Sequence, residues 1–499
     1  MVWMMEFTPH LSEDSAVPLY RQLYEQIAQR IRSGGLAPGE RLPATRELAG
    51  QLGLNRTTVS AAYELLESAG LIAGQVGRGS FVTRDSADSP AQSASGVNWP
   101  TLLERADGVA AAHSGSLGAS GISFVMSRPA RALFPLDEFR ASCAAVLERQ
   151  DLADILQLGS PGGYEPLRRY LLNDARTQGL AGPSDDLLIT NGCQQALDLL
   201  GRVLLRPGDS VALEDPVYTG LKNLLSGMGA SLHGVPVGAN GLDTGHLARL
   251  FERERPRFLG VTPNFQNPTG ATLPLAARRS LLEAARAAGV PVVENDAYGE
   301  LRYVGDDLAP LKQLDEHGGT VLLRSFSKVS FPGLRVGWAL GPKPLIDRLR
   351  QAKEACDLHT DQLSQAVLLE FAESGKLEAH RTRVLEAGRE QLQAILAACR
   401  DYLPSGSFWT KPEGGMNVWV RLPEPLDASD LLPRAQKEGV AYLPGRYFAV
   451  SRQEPGALRL SFAGLTPEQI RNGLAILGRI FSGEVAAAAE SVEPAPAMV

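Results

Sequence analysis

The chain has 499 residues, enough for roughly three folding units at about 150 residues each, or for one large core with an appendage. Lys+Arg 49 against Asp+Glu 56 leaves a net charge of −7, which excludes a chain-wide field drawing in nucleic acid or an acidic membrane. With 44% hydrophobic and 21% charged residues it reads as globular, with ample apolar material for a core.

Its cysteines (Cys143, Cys193, Cys356 and Cys399) are far apart and form no CxxC. That argues against a zinc site and a disulfide framework, and suits a reducing cytoplasm. Apolar runs stay below the roughly 18 residues of a membrane span. The start, Met1-Val2-Trp3-Met4-Met5-Glu6, lacks the basic region and apolar core of a signal peptide. The expectation is a soluble cytoplasmic protein.

Three textures follow one another. Residues 1–84 contain no lysine and carry eight Arg against eight Asp+Glu. Residues 85–120 open on a Ser/Ala/Gly stretch without periodicity and read as a linker, because such a sequence buries too little apolar surface to offset the entropy of ordering. From 121 to 482, helical patterns alternate with short apolar runs such as Ser210-Val211-Ala212-Leu213 and Val290-Pro291-Val292-Val293. That alternation predicts a largely parallel sheet covered by helices. The stretch 483–499, ending AAAAESVEPAPAMV, reads as a flexible tail.

Within the first segment, Leu19, Leu23, Ile27 and Ile31 share one helical face, and Gly34-Gly35 ends that helix. A short helix over 45–52 turns Leu48 and Leu52 inward. Gly53 breaks it, and Asn55 caps a new helix from Arg56 to about Ala69. Two helices joined by a tight Gly-containing turn make a helix-turn-helix. The second helix presents Arg56, Thr57 and Thr58 at its start. Arg reads guanine bidentately, and Thr meets phosphate or a thymine methyl. Residues 70–73 and 77–82 predict a two-stranded wing tipped with Gly and Arg. The segment's zero net charge also fits a purely structural helix-turn-helix. Charge placement favours DNA: between 41 and 63, Arg41, Arg46 and Arg56 face only Glu47.

The strings Pro18-Leu19-Tyr20-Arg21-Gln22-Leu23, GERLPATRELA (39–49) and NRTTV (55–59) resemble the GntR-type winged helix of bacterial regulators over nearly all of 15–83. Ala44 stands where that family usually has Ser. The resemblance implies an α+β winged helix-turn-helix that binds double-stranded operator DNA through Arg46, Arg56, Thr57, Thr58, Arg78 and Gly79.

In the large segment the informative string is Ser325-Phe326-Ser327-Lys328-Val329-Ser330-Phe331-Pro332-Gly333-Leu334-Arg335. Schiff-base chemistry needs a lysine in a protected pocket, where part of it is neutral and nucleophilic. Phosphate needs hydroxyl and guanidinium donors, which Ser325, Ser327 and Arg335 offer. Upstream, Val292-Val293-Glu294-Asn295-Asp296-Ala297-Tyr298 is a buried-looking strand ending in a carboxylate and a phenol. An Asp beneath a pyridine nitrogen keeps it protonated, so the ring draws electrons.

These strings, with Thr190-Asn191-Gly192-Cys193-Gln194-Gln195, Glu214-Asp215-Pro216-Val217-Tyr218 and Thr262-Pro263-Asn264-Phe265-Gln266-Asn267-Pro268-Thr269-Gly270, resemble the fold-type I aminotransferases across about 121–482. The resemblance implies an α/β pyridoxal 5'-phosphate (PLP) transferase fold with a large and a small subdomain. It further implies Lys328 as the lysine bound to the cofactor as an aldimine, Asp296 on the pyridine nitrogen, and Tyr298 and Asn267 on the 3-oxygen. Tyr218 would stack on the ring. Gln194, Ser325, Ser327 and Arg335 would hold the phosphate, and Arg459 would hold an amino-acid carboxylate. Leu158 and Cys193 depart from the family's usual Tyr and hydroxyl residue, removing two phosphate contacts. Backbone N–H groups of 192–194 still suit phosphate if they open a helix.

A GntR-type winged helix joined by a linker to an aminotransferase-like domain resembles the MocR/GabR regulators. That resemblance implies a PLP-dependent regulator sensing an amino acid or PLP at Lys328, built as a head-to-tail homodimer. Two rivals remain: a working aminotransferase carrying a DNA-binding domain, and a sensor of PLP itself. GABA-responsive members carry a second arginine shortly after the stacking tyrosine. Thr219-Gly220-Leu221-Lys222 follows Tyr218 here, which counts against GABA.

Overall fold

The computed structural model describes residues 9, 11, 18–33, 35–37, 39–75, 79–83 and 121–492. Arg78, the linker 85–120 and residues 493–499 lie outside the described residues. The chain divides into two units, Met1–Leu103 and Glu104–Val499.

In the first unit, helices α1 (Leu19–Arg32), α2 (Thr45–Leu52) and α3 (Arg56–Ser68) precede a hairpin of β1 (Ile72–Gln75) and β2 (Gly79–Val82). Local chemistry sets the boundaries. Gly53 closes α2 in the left-handed region at φ 66, and the Asn55 side chain accepts a hydrogen bond from Thr57 N at 3.2 Å to start α3. The helices bury Leu23, Ile27, Leu48, Val59, Ala62 and Leu66, and the hairpin adds Ile72 and Val82. The wing is tied to the turn before α2 by a bridge between Arg41 and Phe81. Tyr63 ties α3 to the same turn, donating its hydroxyl to Pro43 O at 2.9 Å. Burial, then Glu47, raises the pKa of that phenol.

The second unit opens with β3 (Ile122–Ser123). Then come β4 (Asp185–Thr190), β5 (Ser210–Asp215), β6 (Ser231–Gly238), β7 (Gly241–Leu242), β8 (Leu259–Val261), β9 (Val292–Asn295), β10 (Thr320–Ser325) and β11 (Gly337–Pro342). These eight form one sheet in the order β4-β11-β10-β9-β8-β5-β6-β7. Strands β5, β6, β8, β9 and β10 are parallel, and β4 runs with them because β11 is antiparallel to both its neighbours. Helices cover both faces, so the strands read as continuous apolar runs: Leu187–Ile189, Val211–Leu213 and Val321–Leu323 are all buried.

A smaller layer follows. Strands β12 (Phe408–Trp409), β13 (Asn417–Arg421), β15 (Leu443–Pro444) and β16 (Ala457–Ser461) make an antiparallel sheet, while β14 (Val440–Ala441) pairs with β3. The helix Lys376–Tyr402 packs this layer through Val384, Leu392 and Ile395 against Leu474, Leu477 and Phe481 of the last helix. That last helix, Pro467–Val492, corrects the expected tail: 483–492 continues it. The reason is local, since Ala486–Ala489 is a run of the strongest helix former extending a helix already anchored by packing. Among the described residues, no helix is long and apolar enough to cross a membrane.

Candidate functional site

Six strands pointing one way deliver their carboxyl ends to a single edge of the sheet, which is where open α/β sheets place ligands. The candidate residues leave that edge on separate loops: 191–194 after β4, 215–218 after β5, 262–267 after β8, 296–298 after β9 and 326–328 after β10.

Lys328 ends a short turn held by Ser325, whose hydroxyl accepts from Ser327 N at 3.0 Å. The lysine Nζ donates to Ser127 O at 2.7 Å and lies 5.4 Å from the centre of the Tyr298 ring. Tyr298, 5% exposed, accepts from Asn267 Nδ2 at 3.4 Å, and Asn267 Oδ1 accepts from Arg459 Nη1 at 3.0 Å. The structure thus joins Lys328, Tyr298, Asn267 and Arg459 into one chain of contacts. The loop carrying Asn267 is held from below. Gln266 Nε2 donates to Pro216 O at 2.7 Å and to the buried Glu214, whose carboxyl is pushed up to about 8 chiefly by burial.

A second cluster forms an anion cup. The 13-residue helix Gly192–Leu204 points its first N–H groups toward it. Arg335, itself at φ 57, donates to Ser327 Oγ at 3.4 Å and to Asn191 O at 3.3 Å, and Ser325 Oγ lies 2.8 Å from Ser327 Oγ. Gly192 has φ +74, and a Cβ there would fall 2.6 Å from Arg335 Nη2. Only glycine lets the guanidinium close over the helix start. Behind the cup, Asp357 accepts from Asn191 Nδ2 and Gln195 Nε2 and is paired with the buried Lys353 at 2.7 Å. Cys193 sits in the cup with its thiol pushed up to about 12, chiefly by burial. Gln194 differs from expectation. Its side chain accepts from the Tyr218 hydroxyl at 3.2 Å and donates to Gly220 O at 3.3 Å, so it positions Tyr218 and leaves only its backbone N–H for the cup. The helix start, Ser325, Ser327 and Arg335, with Lys328 on the same turn, suit the phosphate and the aldehyde of a phosphorylated pyridine aldehyde.

Arg459 lies on β16, 5% exposed, with its guanidinium 5.1 Å from the Phe448 ring centre. Burial holds its pKa down to about 10, while Tyr298 and Tyr218 oppose that shift. Its Nη2 donates to Val125 O, and among the described residues its buried Nε has no acceptor. Lys328 and Arg459 are therefore both capped by backbone carbonyls of one strap, 125–127. The composition of that strap carried no sign of this role. Lys222 turns away from the site, donating to Ala449 O at 3.0 Å. Asp215 binds the same small-subdomain loop, accepting from Val450 N, Ser451 N and Arg452 N. A cleft of about 1070 Å³ separates the subdomains nearby, lined by Asp215, Gly270, Trp419 and Arg452 but by neither Lys328 nor Asp296.

Asp296 has two partners that the motif reading missed. Oδ1 accepts from Asn264 Nδ2 at 2.8 Å, and Oδ2 accepts from Arg324 Nε at 2.9 Å. Asn264 is oriented in turn by the fully buried Arg278, which donates to its Oδ1 at 2.5 Å. Asn264 stood inside a string already singled out, and Arg324 one residue before another. Their partnership depends on strand register, which spacing along one strand does not reveal.

On the first unit, Arg46, Arg56 and Thr57 are exposed and Thr58 is half-buried. Asn55, Arg56 and Thr57 form the free first turn of α3, and Gly79 begins β2 of the wing.

Comparison with known proteins agrees with this geometry. Residues 143–477 match "Aminotransferase class I and II", and residues 19–82 match "Bacterial regulatory proteins, gntR family". The 2-aminoadipate transaminase of Thermus thermophilus is 40% identical over 370 residues, covering 73% of this chain and 91% of its own. The probable rhizopine catabolism regulatory protein MocR of Rhizobium meliloti is 29% identical over 478 residues, covering 94% of this chain and 95% of its own. Among solved structures, LysN, an α-aminoadipate aminotransferase from Thermus thermophilus complexed with N-(5'-phosphopyridoxyl)-L-leucine, superposes with a TM-score of 0.73. It is 38% identical, covering 78% of this chain and 100% of its own.

Proposed function

The chain belongs to the class I and II aminotransferase family, in the MocR-type branch where a GntR-type winged helix precedes that domain, and on that premise we propose that it is a PLP-dependent DNA-binding regulator whose cofactor site receives an α-amino acid. One observation carries the effector class. Arg459 is a buried guanidinium with an unpaired Nε, and it is linked through Asn267 and Tyr298 to Lys328. Leaving that nitrogen unpaired is costly, and a carboxylate satisfies it.

In this reading Lys328 Nζ would hold the cofactor covalently and Asp296 would face its ring nitrogen. Tyr298 and Asn267 would meet the 3-oxygen, and Tyr218 would cover the ring. Ser325, Ser327, Arg335 and the N–H groups of Cys193 and Gln194 would hold the phosphate. PLP, when bound, supplies an aldehyde carbon that captures amines and a ring that withdraws electrons from them. The residues of the chain do the sensing. An arriving amino-acid carboxylate takes Arg459 from Val125 O, so the strap 125–127 loses that anchor. The strap lies in the second unit, and its release is the conformational change that the effector drives. An effector shifts this equilibrium only by its differential affinity for the two states. Exposed Leu156 (65%) and Leu158 (73%), next to the loop that Gln362 pins to Ile155 O and Gln157 O, offer an apolar face for a second copy in a homodimer. Operator contacts come from Arg46, Arg56, Thr57, Thr58 and the wing at Arg78 and Gly79.

A second reading, a transaminase that also binds DNA, is favoured by the 40% identity to a transaminase and by the joint presence of Lys328, Asp296, Tyr298 and Arg459. One experiment separates them: the visible spectrum of the purified protein while amino acids, GABA and PLP are titrated in, with keto-acid release assayed alongside. A persistent shifted band without keto acid supports the sensor. Conversion to the pyridoxamine form with keto-acid release supports the transaminase.

A further inference from the structure

The parallel pairing of β9 with β10 sets Leu322 opposite Glu294 and Leu323 opposite Asn295. One step further, the same register brings Arg324 beside Asp296, whose N–H donates to Leu323 O at 2.9 Å. The Asp296 side chain is fully buried and that of Arg324 is 14% exposed. Arg324 Nε donates to Asp296 Oδ2 at 2.9 Å with Nη2 2.8 Å from the same oxygen, and its Nη1 donates to Gln178 Oε1 at 3.2 Å. An ionised carboxylate offers about four lone-pair sites. Arg324 occupies the Oδ2 side and Asn264 Nδ2 takes one site on Oδ1, which leaves a single place on Oδ1 for a ring N–H. Arg278 fixes that arrangement, because a guanidinium only donates and so forces the Asn264 amide nitrogen toward Asp296.

We propose that Arg324 is a positioning residue that weakens Asp296 as a partner for the cofactor's ring nitrogen, lowering that nitrogen's affinity for a proton. This rests on the reading that Asp296 faces the ring nitrogen. A carboxylate alone favours a protonated ring. A carboxylate already neutralised by a guanidinium in contact with it favours a protonated ring far less, since the positive charge opposes the added proton. The other charged groups near this pair do not undo this, since Glu300, the second carboxylate acting on Arg324, is itself paired with Arg381 at 2.7 Å. Glu294 on the same strand is hydrogen-bonded to Leu311 N and Lys312 N, Arg278 adds positive charge behind Asn264, and Lys328 adds more when ionised. A ring that holds its proton weakly pulls less strongly on the α C–H bond of a captured amine. The proton is then passed to Lys328 Nζ more slowly, which suits holding an amino acid rather than converting it.

The test loads the full-length protein with PLP labelled with 15N in the ring and follows the ring-nitrogen NMR signal against pH. Arg324→Met is expected to raise proton affinity about 10- to 1,000-fold, the range one adjacent charge produces. Arg324→Lys, which keeps the charge, is expected to restore the wild-type midpoint. If Arg324→Met does not fold, Arg324→Gln is neutral, keeps a donor and serves in its place. Asp296→Asn tests the underlying reading separately. An unchanged ring signal in Asp296→Asn removes Asp296 from the ring nitrogen. A changed signal there, with wild-type midpoints in Arg324→Met and Arg324→Gln, overturns the role of Arg324 and leaves Asp296 in place.

Discussion

The two units reach their functional surfaces by opposite routes. In the first, the proposed contacts centre on one turn of one helix: Asn55 caps α3, and the next three residues are proposed to face the groove. In the second, no loop is sufficient by itself. Lys328, Asp296, Tyr298, Asn267 and Arg459 come from four stretches spread over 192 residues, as the Asn267–Arg459 contact shows. The first kind of site tolerates partial damage, since each contact adds its own increment. The second is a network in which removing one member leaves others buried and unpaired.

That contrast is tested by how steeply function falls. Lys328→Ala has the largest expected effect, complete loss of the covalent cofactor band, including after borohydride reduction, because nothing else in the network offers an amine. Arg459→Ala follows. Removing a buried charged partner costs about 2–5 kcal/mol, so effector titrations monitored by absorbance shift by more than about tenfold while the cofactor band is kept. A proportionate, mild loss there breaks the network description.

His380 tests burial itself. It is fully buried against Phe331 and Phe371, and both ring nitrogens lack partners among the described residues. Burial first, then Arg383, holds its pKa down to about 4, with Glu138 opposing. The unfolded chain takes up the proton near 6.5 and the folded chain does not, so the neutral ring's contribution is present above that value and is lost as pH falls from about 6.5 toward 4. Denaturant melts at pH 7 and pH 5 should differ by about 2 kcal/mol, and His380→Phe should shrink that difference.

The smallest effects belong to the first unit. Arg56→Ala should weaken operator binding by about 1–3 kcal/mol in gel-shift titrations. Comparing several salt concentrations distinguishes a base contact from a phosphate contact. Asn55→Ala removes the cap and should cost about 1 kcal/mol in hydrogen exchange of α3, with a matching mild loss of operator affinity. All-or-none loss from either change would erase the distinction between the two units.

Legibility in the sequence followed the same division. The elements of the first unit fall where capping and periodicity put them, from Leu19, Thr45 and Arg56 onward. In the second unit the cofactor strings stood out because each clusters several chemistry-bearing types, and the sheet edge they share follows from the alternation of strands and helices. What escaped was partnership across strands: Arg324 and Asn264 on Asp296, Gln194 turned to Tyr218, and the carbonyls of 125 and 127 on the two cations. The helix through 483–492 escaped for another reason, since a polar-sounding ending hid a run of strong helix formers.

The sequence by itself determined the family, the cofactor class and the helix-turn-helix, because these depend on which residues stand next to one another. The tertiary structure alone decided which donors satisfy Asp296 and Arg459. Those partners lie far along the chain, and in a buried, low-dielectric edge each polar atom must find whatever the sheet register brings within hydrogen-bonding distance.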